Sequence, residues 1–351
     1  MVEMVDKKDS KSFFPGFCVC VCVLFAGLAT GAMACMVELV GTKDPKSFFL
    51  GFCVCCVCVC VLQVWLRIPD DKMRAVKEVV GMLHNASLLV DDIEDNSILR
   101  RGVPVAHSIY GVPSTINTAN YVYFQALGRT HALGSPRALS AFVLEQLNLH
   151  RGQGREILWR DSHRCPTEAE YRDMVKDKTG GLFRLAVGLM QAFSEDERDY
   201  TPLLNDLSLY FQIRDDLINL CSADYMKGKS FCEDLTASLL YSTEGKFSFP
   251  VIHCVHALPN DHRLIKILGQ RTEDVEVKKH ALMWMQKAGS LTYTREATAQ
   301  LKEEIDAKIS GLGGHLGLSR LIEELDRQLD AAPAIASPPK EQKGGPLLDF
   351  L

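Results

Sequence analysis

The chain has no surplus of positive charge: 39 lysines and arginines stand against 44 aspartates and glutamates, for a net charge of −5 over 351 residues. That balance gives no global attraction to nucleic acid or to an acidic membrane face, so no nucleic-acid partner is expected. Any anionic ligand has to be held by local basic residues. The chain is also poor in cysteine past Cys60. Of 13 cysteines nine fall between Cys18 and Cys60, and only Cys165, Cys221, Cys232 and Cys254 follow. These four lack CxxC or other metal-ligand spacing, and they read as reduced packing thiols of a cytoplasmic protein. Strand-like alternation is all but missing after Leu62, which excludes an all-β or doubly wound architecture. An apolar content of 47% excludes disorder of the whole chain and is ample for a core.

What is present begins with a repeat. MVEMVDKKDSKSFFPGFCVC at Met1 returns as MVELVGTKDPKSFFLGFCVC at Met36. Residues 13–37 and 47–66 carry no formal charge, so each reaches the roughly 20 residues a membrane-crossing helix needs. A membrane anchor through residues 13–66 is one reading. Alternating Val and Cys suits a strand period better than a lipid-facing helix, and it is also what a GT dinucleotide repeat encodes. The second reading is therefore a translated microsatellite, from a fusion or a gene-model artefact. The third is a cleaved targeting signal, for which Lys7, Lys8 and Lys11 form a charged start but the duplication has no role. This divides the chain into residues 1–62, a globular part over residues 63–330, and a Pro- and Gly-rich tail over residues 331–351 that reads as disordered.

The globular part is helical by pattern. Pro69-Asp70-Asp71 signals a helix start, and Met73, Val76, Val80, Leu83 and Ser87 follow in three- and four-residue steps. Further helical runs are predicted over Ile116–Leu133, Leu139–Trp159, Glu168–Gln191, Leu203–Leu220, Phe247–Leu258, Asp274–Lys287, Thr292–Ile309 and Leu318–Leu329. An all-α fold follows.

Two acidic clusters sit on these helices. In LLVDDIEDNSILRRG, Asp91, Asp92 and Asp95 lie three and four residues apart and face one way on a helix. One such cluster is equally a solvated helix end. A second, FQIRDDLIN, places Asp215 and Asp216 on a strongly apolar helix with Asn219 four residues after Asp215. Charge this close to core residues is costly unless ligated, and carboxylate oxygens suit magnesium, which shares its coordination with substrate phosphates. Two such faces projecting inward make a cavity in which cations clamp a diphosphate from both sides. Basic residues are interleaved with them: Arg100 and Arg101, Lys178 in KTGGLF, Lys229, and Lys246 in EGKFSFP.

Together DDIED with RRG, KTGGL, FQIRDD and GKFSFP resemble the motifs of the trans-prenyltransferases, the all-α isoprenyl diphosphate synthases. The likeness is closest to the animal geranylgeranyl diphosphate synthases and spans about Trp65 to Leu329. It implies an isoprenoid synthase helical bundle around a central diphosphate and metal cavity. It implies that Asp91 and Asp95 hold Mg2+ on one side and Asp215 on the other. Arg100, Lys178 and Lys229 bind the allylic diphosphate, be it dimethylallyl, geranyl or farnesyl diphosphate. Lys246, Thr179 and Gln212 flank its reacting end, while His84 and Arg101 contact isopentenyl diphosphate. The implied reaction ionises the allylic diphosphate, adds isopentenyl diphosphate to the cation and loses a proton, in a homo-oligomer. Before the first motif Ala86 and Ser87 are both small, which favours a product of about C20 as the resemblance implies.

The chain departs from the pattern at three places. The last position of the second motif is Asn219, as in the close animal relatives. No GKxxR, whose basic residues grip isopentenyl diphosphate in the family, occurs upstream of Asp91, and the Cys/Val repeat stands in its place. ASLLYST, residues 237–243, interrupts the match before EGKFSFP. The alternative to a synthase is a helical protein without catalysis, a paralogue or aberrant isoform that binds diphosphate or pairs with an intact subunit.

Overall fold

The structure, a computed structural model, describes residues 62–100, 103–221, 245–271 and 274–330. The Cys/Val repeat with its anchor, microsatellite and signal readings, Arg101, Lys229, the 237–243 interruption and the 331–351 tail lie outside the described residues.

Helix α1 (Asp70–Glu94) starts after Pro69 with Asp70 and Asp71 in its first turn, where acidic side chains complement the helix dipole. Its inward stripe of Met73, Val76, Val80, Leu83 and Ala86 is buried. It stops at Asp95, after which Asn96 turns the chain with φ of 52°. A two-stranded hairpin follows, β1 (Leu99–Arg100) paired antiparallel with β2 (Val103–Pro104). The pattern had no sign of it, because two residues a strand are too few for an alternation.

After the short α2 (Ala106–Tyr110) come two long helices, α3 (Val112–Ala132) and α4 (Pro136–Asp161). Ser135 caps α4, its side chain accepting from Ala138 N–H at 3.3 Å. The run predicted as one helix over Glu168–Gln191 is two, α5 (Glu168–Lys178) and α6 (Gly180–Gln191), joined at Thr179. Helix α5 opens with a capping box between Thr167 and Glu170. Arg184 Nη1 donates to Lys176 O at 2.8 Å, the carbonyl that an unbroken helix offers to Gly180. Helix α6 is buried on nearly every side and forms the middle of the bundle, touching α1, α4 and α5.

Helix α7 (Thr201–Cys221) packs on α6 and carries the second aspartate pair. Then follow α8 (Phe249–Ala257), α9 (Arg263–Gln270), α10 (Val275–Lys287), α11 (Ser290–Gly311) and α12 (Leu316–Asp330). Helix α9 was not predicted, since eight residues give too few turns to establish a period. Leu185, Leu189, Met190, Leu207, Tyr210 and Ile213 are fully buried between α6 and α7. The apolar side chains among them each contribute about 1.5–3 kcal/mol of burial, whereas Tyr210 buries its hydroxyl without a hydrogen-bond partner among the described residues.

Of the four cysteines read as reduced, Cys165 and Cys254 are free thiols, pushed up by burial to about 12 and about 11, while Cys232 and the side chain of Cys221 lie outside the described residues. Among the described residues no helix is long and apolar enough to cross a membrane.

Candidate functional site

A cavity of about 210 Å³ opens where the C-terminal end of α1 faces α7 across α5, with Lys246 and Phe247 closing one side. Asp91 and Asp92 line it from the first motif, and Asp215, Asp216 and Asn219 from the second. The two jaws read from the sequence therefore face one space. Arg100, Lys178, Gln212 and Lys246 line it too.

The first jaw is tied down by cations. Arg100, held by the hairpin, donates from Nη2 to Asp91 at 3.0 Å and from Nε to Asp92 at 2.7 Å. Lys178 Nζ stands 3.7 Å from Asp91 Oδ1. Burial raises the Asp91 carboxyl, but Lys178, Lys246 and Arg100 more than reverse this and hold it well below the usual range. At Asp92 burial wins over Arg100, and with Asp91 and Asp95 adding like charge the carboxyl is pushed up to about 6.

Asp95 is placed differently from its two neighbours. It is 1% exposed and lies off the cavity wall. Its Oδ2 accepts from Lys246 at 2.6 Å and its Oδ1 from Arg160 at 2.9 Å. Burial pushes its carboxyl upward against the pull of Lys246.

The second jaw is organised by neutral groups. Asp216 accepts from Tyr171 Oη at 2.5 Å, from Phe249 N–H at 2.8 Å and from Gln212 Nε2 at 2.9 Å. Burial nevertheless pushes Asp216 up to about 6. Thr179 Oγ1 donates to Gln212 Oε1 at 3.0 Å, so the Thr179, Gln212 and Asp216 side chains form one relay. Asp215 is half-buried on the wall, and Asn219 Oδ1 is buried without a hydrogen-bond donor among the described residues.

Helix α4 supplies a third wall that sequence reasoning missed. Glu156 is paired with Lys178 and lies 3.8 Å from Lys246, while Gln153 Nε2 donates to Asp91 at 3.2 Å and Glu94 at 2.8 Å. Burial is the largest single influence on both, lowering Lys178 and raising Glu156, but Glu156 with Asp91 and Asp95 together hold the lysine above the ordinary range, and Lys178 with Lys246 together hold the glutamate below it. A row of alternating charge thus runs outward: Lys178, Glu156, Lys246, Asp95, Arg160, Asp161, Arg271. The available signal was the spacing of Gln153, Glu156 and Arg160, which puts them on one face of a helix. In RGQGREILWRD that face reads as solvated.

The close fit of α4 to α5 depends on Gly152, where a Cβ would overlap the backbone nitrogen of Lys178. This contact sets the height of Lys178 beside Glu156, one turn along α4. His84 is half-buried on α1, two turns before Asp91, and is not on the cavity wall.

Among the described residues no three carboxylates, histidines or cysteines converge on one point. A divalent cation here would have one or two carboxylates from a jaw and take its other ligands from elsewhere, the mode magnesium adopts with substrate phosphates. The all-oxygen donors Asp91, Asp215 and the unpartnered Asn219 Oδ1 fit that hard cation.

A family model described as polyprenyl synthetase matches residues 53–285 of the chain. Geranylgeranyl pyrophosphate synthase of Dictyostelium discoideum is 53% identical over 262 residues, covering 75% of this chain and 84% of that protein. A protein named terpene synthase from Matsumurasca onukii is 54% identical over 261 residues, covering 74% and 84%. Geranylgeranyl pyrophosphate synthase of Mucor circinelloides f. lusitanicus is 51% identical over 267 residues, covering 76% and 86%.

Proposed function

The chain belongs to the polyprenyl synthetase family, and from that premise we propose that it is a magnesium-dependent prenyltransferase joining isopentenyl diphosphate to an allylic diphosphate, with geranylgeranyl diphosphate as product. The observation that carries the reading is the pair of aspartate jaws, Asp91 with Asp92 and Asp215 with Asp216, lining one cavity together with Arg100, Lys178 and Lys246. Such a site neutralises an anion that gains charge as it leaves.

Asp91, Asp215 and the Asn219 Oδ1 would hold the magnesium, whereas Asp95, expected from the resemblance to be a ligand beside Asp91, lies off the cavity wall with its oxygens taken by Lys246 and Arg160. Bound there, the cation would supply positive charge to the diphosphate oxygens. Arg100, Lys178 and Lys229 bind the same diphosphate, the arginine by forked hydrogen bonds and the lysines as point charges. Lys246, Thr179 and Gln212 stand at the reacting end, where the Thr179 hydroxyl fixes the Gln212 carbonyl and so orients its amide. His84 and Arg101 bind isopentenyl diphosphate. Attack of its double bond on the allylic cation forms the new carbon–carbon bond, and a proton is then lost to the departing diphosphate, so no side-chain base is required.

The free thiols of Cys165 and Cys254 support a cytoplasmic location. The chain is proposed to act as a homo-oligomer. Ile116 and Phe124 on α3 and Leu144 and Leu147 on α4 are between 40% and 72% exposed, and this apolar surface supports contact with a second copy.

The test is to incubate the purified chain with radiolabelled isopentenyl diphosphate, farnesyl diphosphate and magnesium. Labelled C20 product is expected. Its absence at any protein concentration would overturn the assignment in favour of a non-catalytic subunit.

A further inference from the structure

A half-buried charge on the cavity wall, Glu156, has no task in prenyl transfer. Glu156 projects from α4, a helix that carries neither aspartate motif, and its side chain is 17% exposed. One oxygen is paired with Lys178 Nζ, and the same oxygen lies 3.8 Å from Lys246 Nζ. The two lysines come from distant segments, the end of α5 and the turn before α8. Two ammonium groups brought into one half-buried space repel each other, and Glu156 is the anion they share.

The same carboxylate is a like charge to any anion the lysines receive. At this depth, poorly screened, that repulsion is felt. Lys178 and Lys246 each keep a second carboxylate, Asp91 at 3.7 Å and Asp95 at 2.6 Å. Glu156 is therefore not needed merely to keep a lysine from being buried alone. One and the same oxygen of Glu156 stands within ion-pair distance of both.

We propose that Glu156 is a positioning residue that pairs Lys178 with Lys246 and, as a fixed negative charge behind them, restrains their grip on diphosphate so that the diphosphate released by the reaction can leave. The inference rests on the prenyl-transfer reading for the identity of the anion. Glu156→Gln keeps the shape and one hydrogen-bond acceptor for Lys178 while removing the charge. Glu156→Asp keeps the charge on a shorter stem.

Calorimetric titration of the full chain with magnesium pyrophosphate tests it without turnover. Glu156→Gln is expected to bind about fivefold more tightly than the wild type, and Glu156→Asp within twofold of it. In the steady state Glu156→Gln is expected to lower kcat and the KM for farnesyl diphosphate together, leaving kcat/KM within threefold. Unchanged, weaker or absent pyrophosphate binding by Glu156→Gln would overturn the proposal, as would a raised KM at unchanged kcat. A packing role alone would weaken binding in both variants. Failure of the prenyl-transfer reading shows as a wild type without product, whereas failure of this inference shows in the ratio of the two dissociation constants.

Discussion

Lys246 Nζ lies 2.6 Å from Asp95 Oδ2, so the lysine of GKFSFP closes onto the last aspartate of DDIED across 151 positions of chain. Arg160 reaches the other oxygen of the same carboxylate at 2.9 Å. Asp95 therefore joins three segments, α1, α4 and the turn before α8, while Asp91 looks into the cavity.

These two aspartates are expected to separate stability from turnover. Asp95→Ala leaves two cations facing a buried gap and should cost about 3 kcal/mol in urea unfolding. Asp91→Ala, at 24% exposure and beside an open cavity that lets water reach the released cations, should cost less than Asp95→Ala yet abolish product. Equal losses of stability in the two variants would contradict the placement of Asp95.

Asp92 gives a pH signature with a definite sign. Its carboxyl is raised from 3.8 to about 6 in the folded chain, so the folded state holds the proton more tightly than the unfolded one. The resulting stability is full below the unfolded value and is lost as pH rises through about 6. Relative to Asp92→Asn, the wild type should lose stability between those two values by an amount on the order of 3 kcal/mol. Unfolding curves for the pair, measured at intervals across that range, check it; parallel profiles would count against it.

Gly152→Ala forces α5 away from α4. A cost of about 2 kcal/mol is expected from overpacking. Because Lys178 moves with the backbone, turnover should fall about a hundredfold. Thermal unfolding and the product assay measure the two effects, and full activity in this variant would disprove the link between helix spacing and Lys178.

Phe124→Asp combined with Leu147→Asp places charge on the exposed faces of α3 and α4. Light scattering after size exclusion should show a drop to the mass of one chain, with helical circular dichroism unchanged. A wild type already at that mass would refute the homo-oligomer.

The helices and both jaws were legible because their signals are local. Asp91 and Asp95, or Asp215 and Asn219, are one helical turn apart within apolar runs, and the apolar stripe of α1 follows the same step. What stayed hidden depends on partners distant in sequence. Glu156 meets Lys178 and Arg160 meets Asp95, 22 and 65 positions away, from a helix whose charges look like those of any solvated face. The break at Thr179 was hidden for a related reason: Arg184, within α6, folds back to take the Lys176 carbonyl. Nor could spacing tell that Asp95, although on the same motif as Asp91, is covered. That follows from where α4 and the turn before α8 come to rest.

The row of alternating charge from Lys178 to Arg271 also has an inside and an outside for dissolved ions. Its inner members are largely covered, whereas Asp161 and Arg271 are 54% and 31% exposed. With a Debye length of about 8 Å at physiological ionic strength, added salt attenuates the outermost pair far more than the covered Asp95 and Arg160 pair in the middle of the row. The tie that Asp95 makes between three segments is thus expected to hold as ionic strength rises, while the link between Asp161 and Arg271 loosens.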